Sequence, residues 1–176
     1  TVATFAFLNS ALSNSSMRFI AVSLGSTKVE SFREAINTAI FIHLIIGILV
    51  ILIIELGGFL MFEYVLQIPP DRLNASKVIF QLMVLSTFIV IISVPFDAVI
   101  SSHEDFLILS LVDIIGYLLK LAIAIYILSY ENDRLILYGF GIFLVQFLIR
   151  VSKVIIAQKK YQDMKIYLKK YVDRSL

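Results

Sequence analysis

The sequence predicts an all-α integral membrane protein built as an antiparallel bundle of helices, and three observations favour this fold class. Of its 176 residues, 60% are apolar and only 16% are charged, and the mean hydropathy is +0.95, far from the balance of a domain with a hydrated surface. The apolar residues come in blocks of about 20, the helix length that crosses a hydrocarbon core about 30 Å thick. Short polar turn sequences separate the blocks.

Composition also limits the kinds of site that the chain can hold. There is no cysteine and there are only two histidines, so disulfides and thiolate metal sites are impossible and a zinc site is not expected. The sequence lacks the nucleotide, serine, cysteine and metal signatures of enzymes. We therefore expect no enzyme activity, no cofactor, no metal and no nucleic-acid partner. Thr1 follows no Met and no basic region, so we expect that it lies within a helix and that the chain is a fragment.

Five spans are predicted, the first of them partial. Their approximate bounds are 1–24, 35–62, 76–102, 106–130 and 134–157. Together they make up a transmembrane bundle, residues 1–157. We expect residues 158–176 to form a basic amphipathic helix at the membrane surface, a connector to a further segment, or both, because apolar residues recur there at helical spacing among lysines.

The first span differs from the others because polar residues interrupt it. Asn9, Ser13 and Ser16 share one helix face, and Asn14 lies between them. Such a face suits close packing between helices through small hydrogen-bonding residues, which we favour, or the lining of a hydrated cavity. Asn9, Ser13 and Asn14 are on this basis candidates for a substrate cavity.

Two residues of the second span, His43 and Glu55, and one proline of the third predict local features. In the second, we expect His43 to be a hydrogen-bonded packing residue and Glu55 to lie near the far interface, where its carboxylate reaches water. Pro69 and Pro70 end the second span, because proline disfavours a continued helix. Pro95 near the end of the third span predicts a kink before a tight hairpin, residues 103–105.

The fourth and fifth spans contain charges inside apolar runs. The fourth holds Asp113 and Lys120, and the fifth is interrupted by Arg150 and Lys153 before the basic tail. Most basic residues fall on the side of the Gly25 loop, the 103–105 hairpin and the tail, which the positive-inside rule assigns to the cytoplasm.

Charges within the spans are the default functional hypothesis, because each is costly in hydrocarbon unless it faces protein or water. Counting from the two hairpins brings Asp113 close to the depth of Asp97 and beside Arg150, so these three residues are predicted to form an intramembrane charge network. Within it, Asp113 and Arg150 are expected within bridging reach of each other, directly or through one water. Lys120 lies about 10 Å further along the helix from Asp113. It is predicted either to bind an anionic group in a cavity or to extend its ammonium towards the outer interface.

Three stretches of the sequence resemble a known transporter family: Phe7-Leu8-Asn9 through Leu24-Gly25, Ile68-Pro69-Pro70-Asp71-Arg72, and Ser93-Val94-Pro95-Phe96-Asp97-Ala98 with His103-Glu104. The chain resembles the oligosaccharide and polysaccharide (O-antigen type) flippases of the multidrug/oligosaccharidyl-lipid/polysaccharide exporter superfamily. The resemblance implies a partial amino-terminal bundle of a MATE-like flippase fold, with a second helical bundle outside this chain. Phe96-Asp97 departs from the Tyr-Asn of many relatives.

The resemblance also implies a function and a location. Such flippases move undecaprenyl-pyrophosphate-linked repeat units across the bacterial inner membrane by alternating access, in the biosynthesis of polysaccharides such as the O-antigen of lipopolysaccharide. The expected partners are membrane lipids, the lipid-linked oligosaccharide and the second bundle, and Lys120 is the expected partner of the pyrophosphate. Two other hypotheses stay open: a cation-coupled multidrug antiporter that uses Asp97 or Asp113, and a membrane scaffold that transports nothing.

Overall fold

The computed structural model describes residues 2–25, 29–130 and 134–161, with the side chains of residues 10–25, 31–130 and 134–161. These residues form five α-helices and no strand, which confirms the all-α fold class. The helices are α1 (Val2–Leu24), α2 (Val29–Leu60), α3 (Pro70–Ser102), α4 (Phe106–Leu128) and α5 (Arg134–Lys160), and a π-helical turn, Met61–Val65, prolongs α2. Residues 162–176, most of the expected amphipathic tail, lie outside the described residues.

Four of these helices are long and apolar enough to cross a membrane: α2 with its π-helical turn, α3, α4 and α5. This makes the chain a multi-pass membrane protein. The expected partial span at residues 1–24 lies partly outside the side chains that the structure describes. α3 begins at Pro70, several residues before the expected start of the third span, because proline at the first helical position needs no backbone donor and already has a helical φ.

α3 is the central helix and contacts the other four. It runs antiparallel to α2, since Gly47 lies against Phe88 and Gly58 lies against Phe80. It runs parallel to α5, where Gly139 packs against Ile79.

The best-buried core lies at one end of the bundle. It joins the end of α1, the start of α2, the end of α3 and the end of α5 through side chains such as Ile20, Ile36, Val99 and Ala157. We call this end the His103 end and the opposite one the Pro70 end. The structure therefore brings together the Gly25 turn, the 103–105 hairpin and the end of α5, which the sequence assigns to one side of the membrane. Glu104 closes the hairpin with a left-handed backbone, φ 60°.

α4 lies at the edge of the bundle and packs chiefly on α5. Gly116 is its one buried residue, and a Cβ there would collide with the side chain of Ile149. The absence of a side chain at Gly116 leaves room for Ile149 to pack directly on the α4 backbone. Close approach through small residues suits helices in lipid, where burial of apolar surface does not by itself drive association.

A pair of adjacent glycines near the end of α2 tests this packing. The side of α2 at Gly58 is in contact with the Phe80 ring, which Phe62 also holds edge-to-face at a centroid distance of 5.6 Å. Gly57 has no atom within 4 Å of the position that a Cβ would take.

We expect Gly58→Ala to destabilise the protein and Gly57→Ala to leave it unchanged or slightly more stable. The first change overpacks a rigid ring, at a cost of about 1–3 kcal/mol, whereas the second gains up to about 1 kcal/mol of helix propensity. Thermal unfolding of the full-length protein in detergent measures both. Equal midpoints for the two variants would show that the α2–α3 seam is looser than the structure indicates.

Candidate functional site

Four charged side chains from three helices meet between the bundle centre and the His103 end. Arg150 Nη1 donates a hydrogen bond to Asp97 Oδ2 at 2.7 Å. Lys153 Nζ lies 2.9 Å from Asp113 Oδ1 and 3.6 Å from Asp97 Oδ2. Lys153 therefore bridges the carboxylates of α3 and α4, and we call these four residues the charge network.

The helix geometry explains why these side chains meet. Arg150 and Lys153 are three residues apart on α5, so they project from neighbouring positions of the same helix surface. α3 runs parallel to α5 on one side and offers Asp97, while α4 runs antiparallel to α5 on the other and offers Asp113. The two cations of α5 thus lie between the Asp97 carboxylate of α3 and the Asp113 carboxylate of α4.

The network is electrically balanced and mostly buried. The side chains of Lys153, Arg150 and Asp97 are 4%, 13% and 19% exposed, whereas that of Asp113 is 41% exposed. A buried charge without its partner is strongly destabilising, so Arg150 depends on Asp97, while Lys153 depends on Asp97 and on the more exposed Asp113. Asp97 Oδ1 and Arg150 Nε are buried atoms that have no hydrogen-bond partner among the described residues.

The direct form of the predicted pairing between Asp113 and Arg150 is wrong, since the ion pairs of the described residues join Asp113 to Lys153 and Arg150 to Asp97. The predicted position of Asp113 along the helix axis is close to the observed one, because Asp113 lies level with the part of α5 that carries Lys153. Rotation decided the partner: Ile149 faces Gly116 on α4, so the next residue, Arg150, turns about 100° away towards α3. On the sequence alone, Lys153 is only a charge that interrupts the last span. Its spacing of three from Arg150 is the signal that would have included it.

Lys120 lies deeper in the bundle and has a neutral partner. Its Nζ donates to Gln146 Oε1 on α5 at 3.0 Å and lies 5.8 Å from the centre of the Tyr117 ring. Gln146 and Lys120 are level in the α4–α5 pairing that also joins Asp113 to Lys153, so the ammonium points across to α5 and not along α4 to an interface. Among the described side chains, no carboxylate forms an ion pair with Lys120.

The polar face of α1 is described in part. The side chain of Asn9 lies outside the described residues; Ser13 is half-buried and Asn14 is exposed. Between α1 and α2 lies a cavity of about 190 Å³ lined by Ser15, Ser16 and His43 among apolar residues, and Ser13 and Asn14 are not part of its lining.

His43 is a hydrogen-bonded packing residue, as expected from the sequence. Its imidazole is buried; Nδ1 donates to the Ala39 carbonyl at 2.8 Å, and Nε2 lies 3.4 Å from the Ser16 hydroxyl. Because the carbonyl can only accept, this contact fixes the proton on Nδ1 in the neutral ring. The Nε2 atom is left to accept from Ser16.

A second polar cluster fastens the 103–105 hairpin to the end of α5. The Tyr161 hydroxyl donates to Asp105 Oδ2, Lys160 Nζ lies 2.8 Å from the same oxygen, and the His103 ring stacks on Tyr161 at 4.0 Å. Hydrogen bonds from Lys160 and Tyr161 lower the pKa of the Asp105 carboxyl. Burial and the hydrogen bond to Asp105 raise the pKa of the Tyr161 hydroxyl. We call these residues the hairpin clip.

Acidification should open the hairpin clip. Because the pKa of Asp105 is lower in the folded protein than in an unfolded chain, its contribution is present above the ordinary carboxyl pKa and is lost as pH falls through the folded value. We expect the unfolding midpoint of the wild type to fall over this acidic range relative to that of Asp105→Asn. Glu104→Gln, which neutralises the adjacent carboxyl, is the control and should keep the wild-type profile. Parallel profiles for wild type and Asp105→Asn would contradict the clip.

The charge network predicts which residues are energetically coupled. We expect Asp97→Asn and Arg150→Gln each to destabilise the protein by about 3–5 kcal/mol, because each strands a buried partner, and the double variant to cost far less than their sum. Asp113→Asn with Arg150→Gln should couple more weakly, since these two residues are joined only through Lys153, which contacts both Asp97 and Asp113. Unfolding of the full-length protein in detergent gives both double-mutant cycles. Strong coupling in the second cycle with none in the first would contradict the observed pairing.

Comparison with known proteins identifies a family. The MatE family model matches residues 1–126, which include α1 to α3 and nearly all of α4. No curated protein and no solved structure matches the chain. The matched region contains Asp97, Asp113 and Lys120, and it covers more than half of the sequence. The chain belongs to the MatE family.

Proposed function

We propose that this chain is part of a flippase that moves a lipid-linked oligosaccharide across the bacterial inner membrane. The substrate class is an undecaprenyl-pyrophosphate-linked repeat unit of a polysaccharide such as O-antigen. Membership of the MatE family supports an exporter or flippase type of transporter and a role other than an enzyme. Transport would proceed by alternating access between these helices and a second helical bundle.

The distribution of charge inside the bundle is the observation that carries the proposal. The two acidic and two basic residues of the charge network neutralise one another. Lys120 remains as a positive charge whose polar partner, Gln146, is neutral. A pyrophosphate offers charged acceptor oxygens to such an ammonium, so it adds the attraction of opposite charges to a hydrogen bond of the kind that Gln146 now accepts. The amide of Gln146 is a partner that a pyrophosphate can replace.

The same distribution gives less support to a cation-coupled multidrug antiporter. That activity needs a carboxylate that can bind a proton or a sodium ion, and the sequence offers Asp97 or Asp113. Both carboxylates are engaged by cations of α5, so an incoming cation would have to displace Arg150 or Lys153. A scaffold would have its internal charges all paired or at an interface, and Lys120 is neither.

The proposed orientation puts the His103 end in the cytoplasm. The basic residues of this end, such as Lys153 and Lys160, outnumber those at the Pro70 end, where Lys77 and Arg134 lie. In this orientation the charge network lies between Lys120 and the cytoplasm. The substrate would enter from the His103 end and leave at the Pro70 end.

Substitutions at Lys120 and Gln146 distinguish the effect of the Lys120 charge from the effect of its packing. In the full-length protein, we expect Lys120→Met to lower transport of the lipid-linked repeat unit about ten- to a hundredfold, the effect of losing one charge-assisted hydrogen bond. Lys120→Arg should retain part of the activity. Gln146→Glu should also lower transport, because the new carboxylate would hold the ammonium, whereas Gln146→Leu is the matched control and should be milder. Complementation of a strain that lacks the flippase and the accumulation of lipid-linked repeat units measure the effect.

Two results would contradict the proposal. Full complementation by Lys120→Met at normal expression would remove Lys120 from the substrate path. Ion-dependent export of organic cations that is lost in Asp113→Asn and kept in Lys120→Met would favour the antiporter.

A further inference from the structure

A groove between α2 and α3 near the Pro70 end has the properties of a ligand site and contains none of the residues on which the transport proposal rests. Its volume is about 590 Å³, within the range of about 300–1,000 Å³ that is typical of small-molecule sites. Glu55, Lys77 and Gln81 supply its polar groups. Its remaining lining is aliphatic, with Ile51, Leu82 and Leu85 among the contributors.

The polar groups form a mouth at one end of the groove. Glu55 and Gln81 are level, and Gln81 Nε2 donates to Glu55 Oε2 at 3.2 Å. Lys77 lies one helical turn closer to the Pro70 end than Gln81, about 6 Å along α3. Ile51 and Leu85 are one turn towards the bundle centre from Glu55 and Gln81. The groove therefore runs from a charged mouth near the interface into an aliphatic channel at hydrocarbon depth.

The two charges at the mouth are opposite and do not form an ion pair with each other. In the described part of the chain, neither Glu55 nor Lys77 belongs to an ion pair, although both line this groove. Gln81 gives Glu55 a neutral donor and positions the carboxylate at the mouth. The space between a held carboxylate and an ammonium suits a ligand that carries both charges.

We propose that this groove binds a membrane phospholipid whose head group carries a phosphate and a primary ammonium. The phosphate accepts from the Lys77 ammonium, and the lipid ammonium donates to the Glu55 carboxylate. An acyl chain lies along Ile51, Leu82 and Leu85, where the lining is aliphatic. The occupant belongs to the leaflet at the Pro70 end, because the charged mouth faces that interface.

This chemistry discriminates between head groups. The quaternary ammonium of a choline head group has no N–H to donate, so it leaves the Glu55 carboxylate without a hydrogen bond. A glycerol head group brings the phosphate without a cation, so its negative charge lies near that of Glu55. Ethanolamine satisfies both side chains.

The test is lipid retention by the full-length protein. The protein is reconstituted in vesicles of equal parts phosphatidylethanolamine, phosphatidylcholine and phosphatidylglycerol, extracted in mild detergent, and its bound lipids are measured by native mass spectrometry. We expect phosphatidylethanolamine to be retained about tenfold over each of the others, the ratio that one charge-assisted hydrogen bond supplies.

Substitutions at the mouth should change this preference in different directions. Glu55→Gln removes the repulsion between the carboxylate and the lipid phosphate, so the retention of phosphatidylglycerol should rise to that of phosphatidylethanolamine. Lys77→Gln should lower the retention of all three lipids. Glu63→Gln, an exposed carboxyl of the nearby π-helical turn that does not line the groove, is the matched control and should behave as the wild type.

Several outcomes would overturn the proposal. Equal retention of the three lipids by the wild type would do so, as would an unchanged preference in Glu55→Gln and Lys77→Gln. The absence of any retained lipid would show that another part of the full-length protein covers the groove. Transport by the Lys120 variants has no bearing on these outcomes, so the two proposals fail independently.

Discussion

The neutralisation of Asp97 by two cations of α5 is the interaction on which the arrangement of the bundle depends. A membrane offers almost no water to a charge in this position, so Arg150 and Lys153 can be accommodated only where carboxylates reach them. Asp97 on the central helix supplies one of these and touches both cations. The contact fixes the rotation of α5 about its axis, and α4 then follows, because Lys153 on the same helix binds Asp113.

Apolar packing alone would define this arrangement poorly. Apolar side chains lie both on the exposed surface and between the helices, and in hydrocarbon there is little gain from moving one of them inwards. Specificity comes instead from shape and polarity. Gly116 admits Ile149, Gly58 admits Phe80, and His43 meets Ser16 in an otherwise aliphatic seam. Each of these contacts forms only when the helix is rotated about its axis so that the named residue faces its partner.

The sequence predicts the helices and their depth much better than their rotation. Helix existence follows from block length and hydropathy, which a bilayer of fixed thickness constrains strongly. Depth follows from counting residues from a hairpin, and this is why Asp113 was expected level with the part of α5 that it contacts. Rotation changes by 100° with each residue, so an error of one position at a turn exchanges Lys153 for Arg150 as the partner. Lys120 was expected inside a span, but its bond to Gln146 depends on the same rotation and could not be derived.

The contacts between α4 and α5 bear on how Lys120 could bind a substrate without loss of the helix pair. Asp113 and Lys153 join the helices on one side of Gly116, and Ile149 fills the gap at the glycine itself. Lys120 is one turn beyond Gly116, at the side nearer the Pro70 end. If the Lys120 ammonium leaves Gln146 for an anionic group, two other contacts still hold α4 against α5. These are the packing of Ile149 at Gly116, one turn from Lys120, and the ion pair between Asp113 and Lys153, two turns from it. The hydrogen bond from Lys120 to Gln146 is thus separate from the contacts that keep α4 and α5 together. A site of this kind can bind and release a ligand while the two helices stay packed.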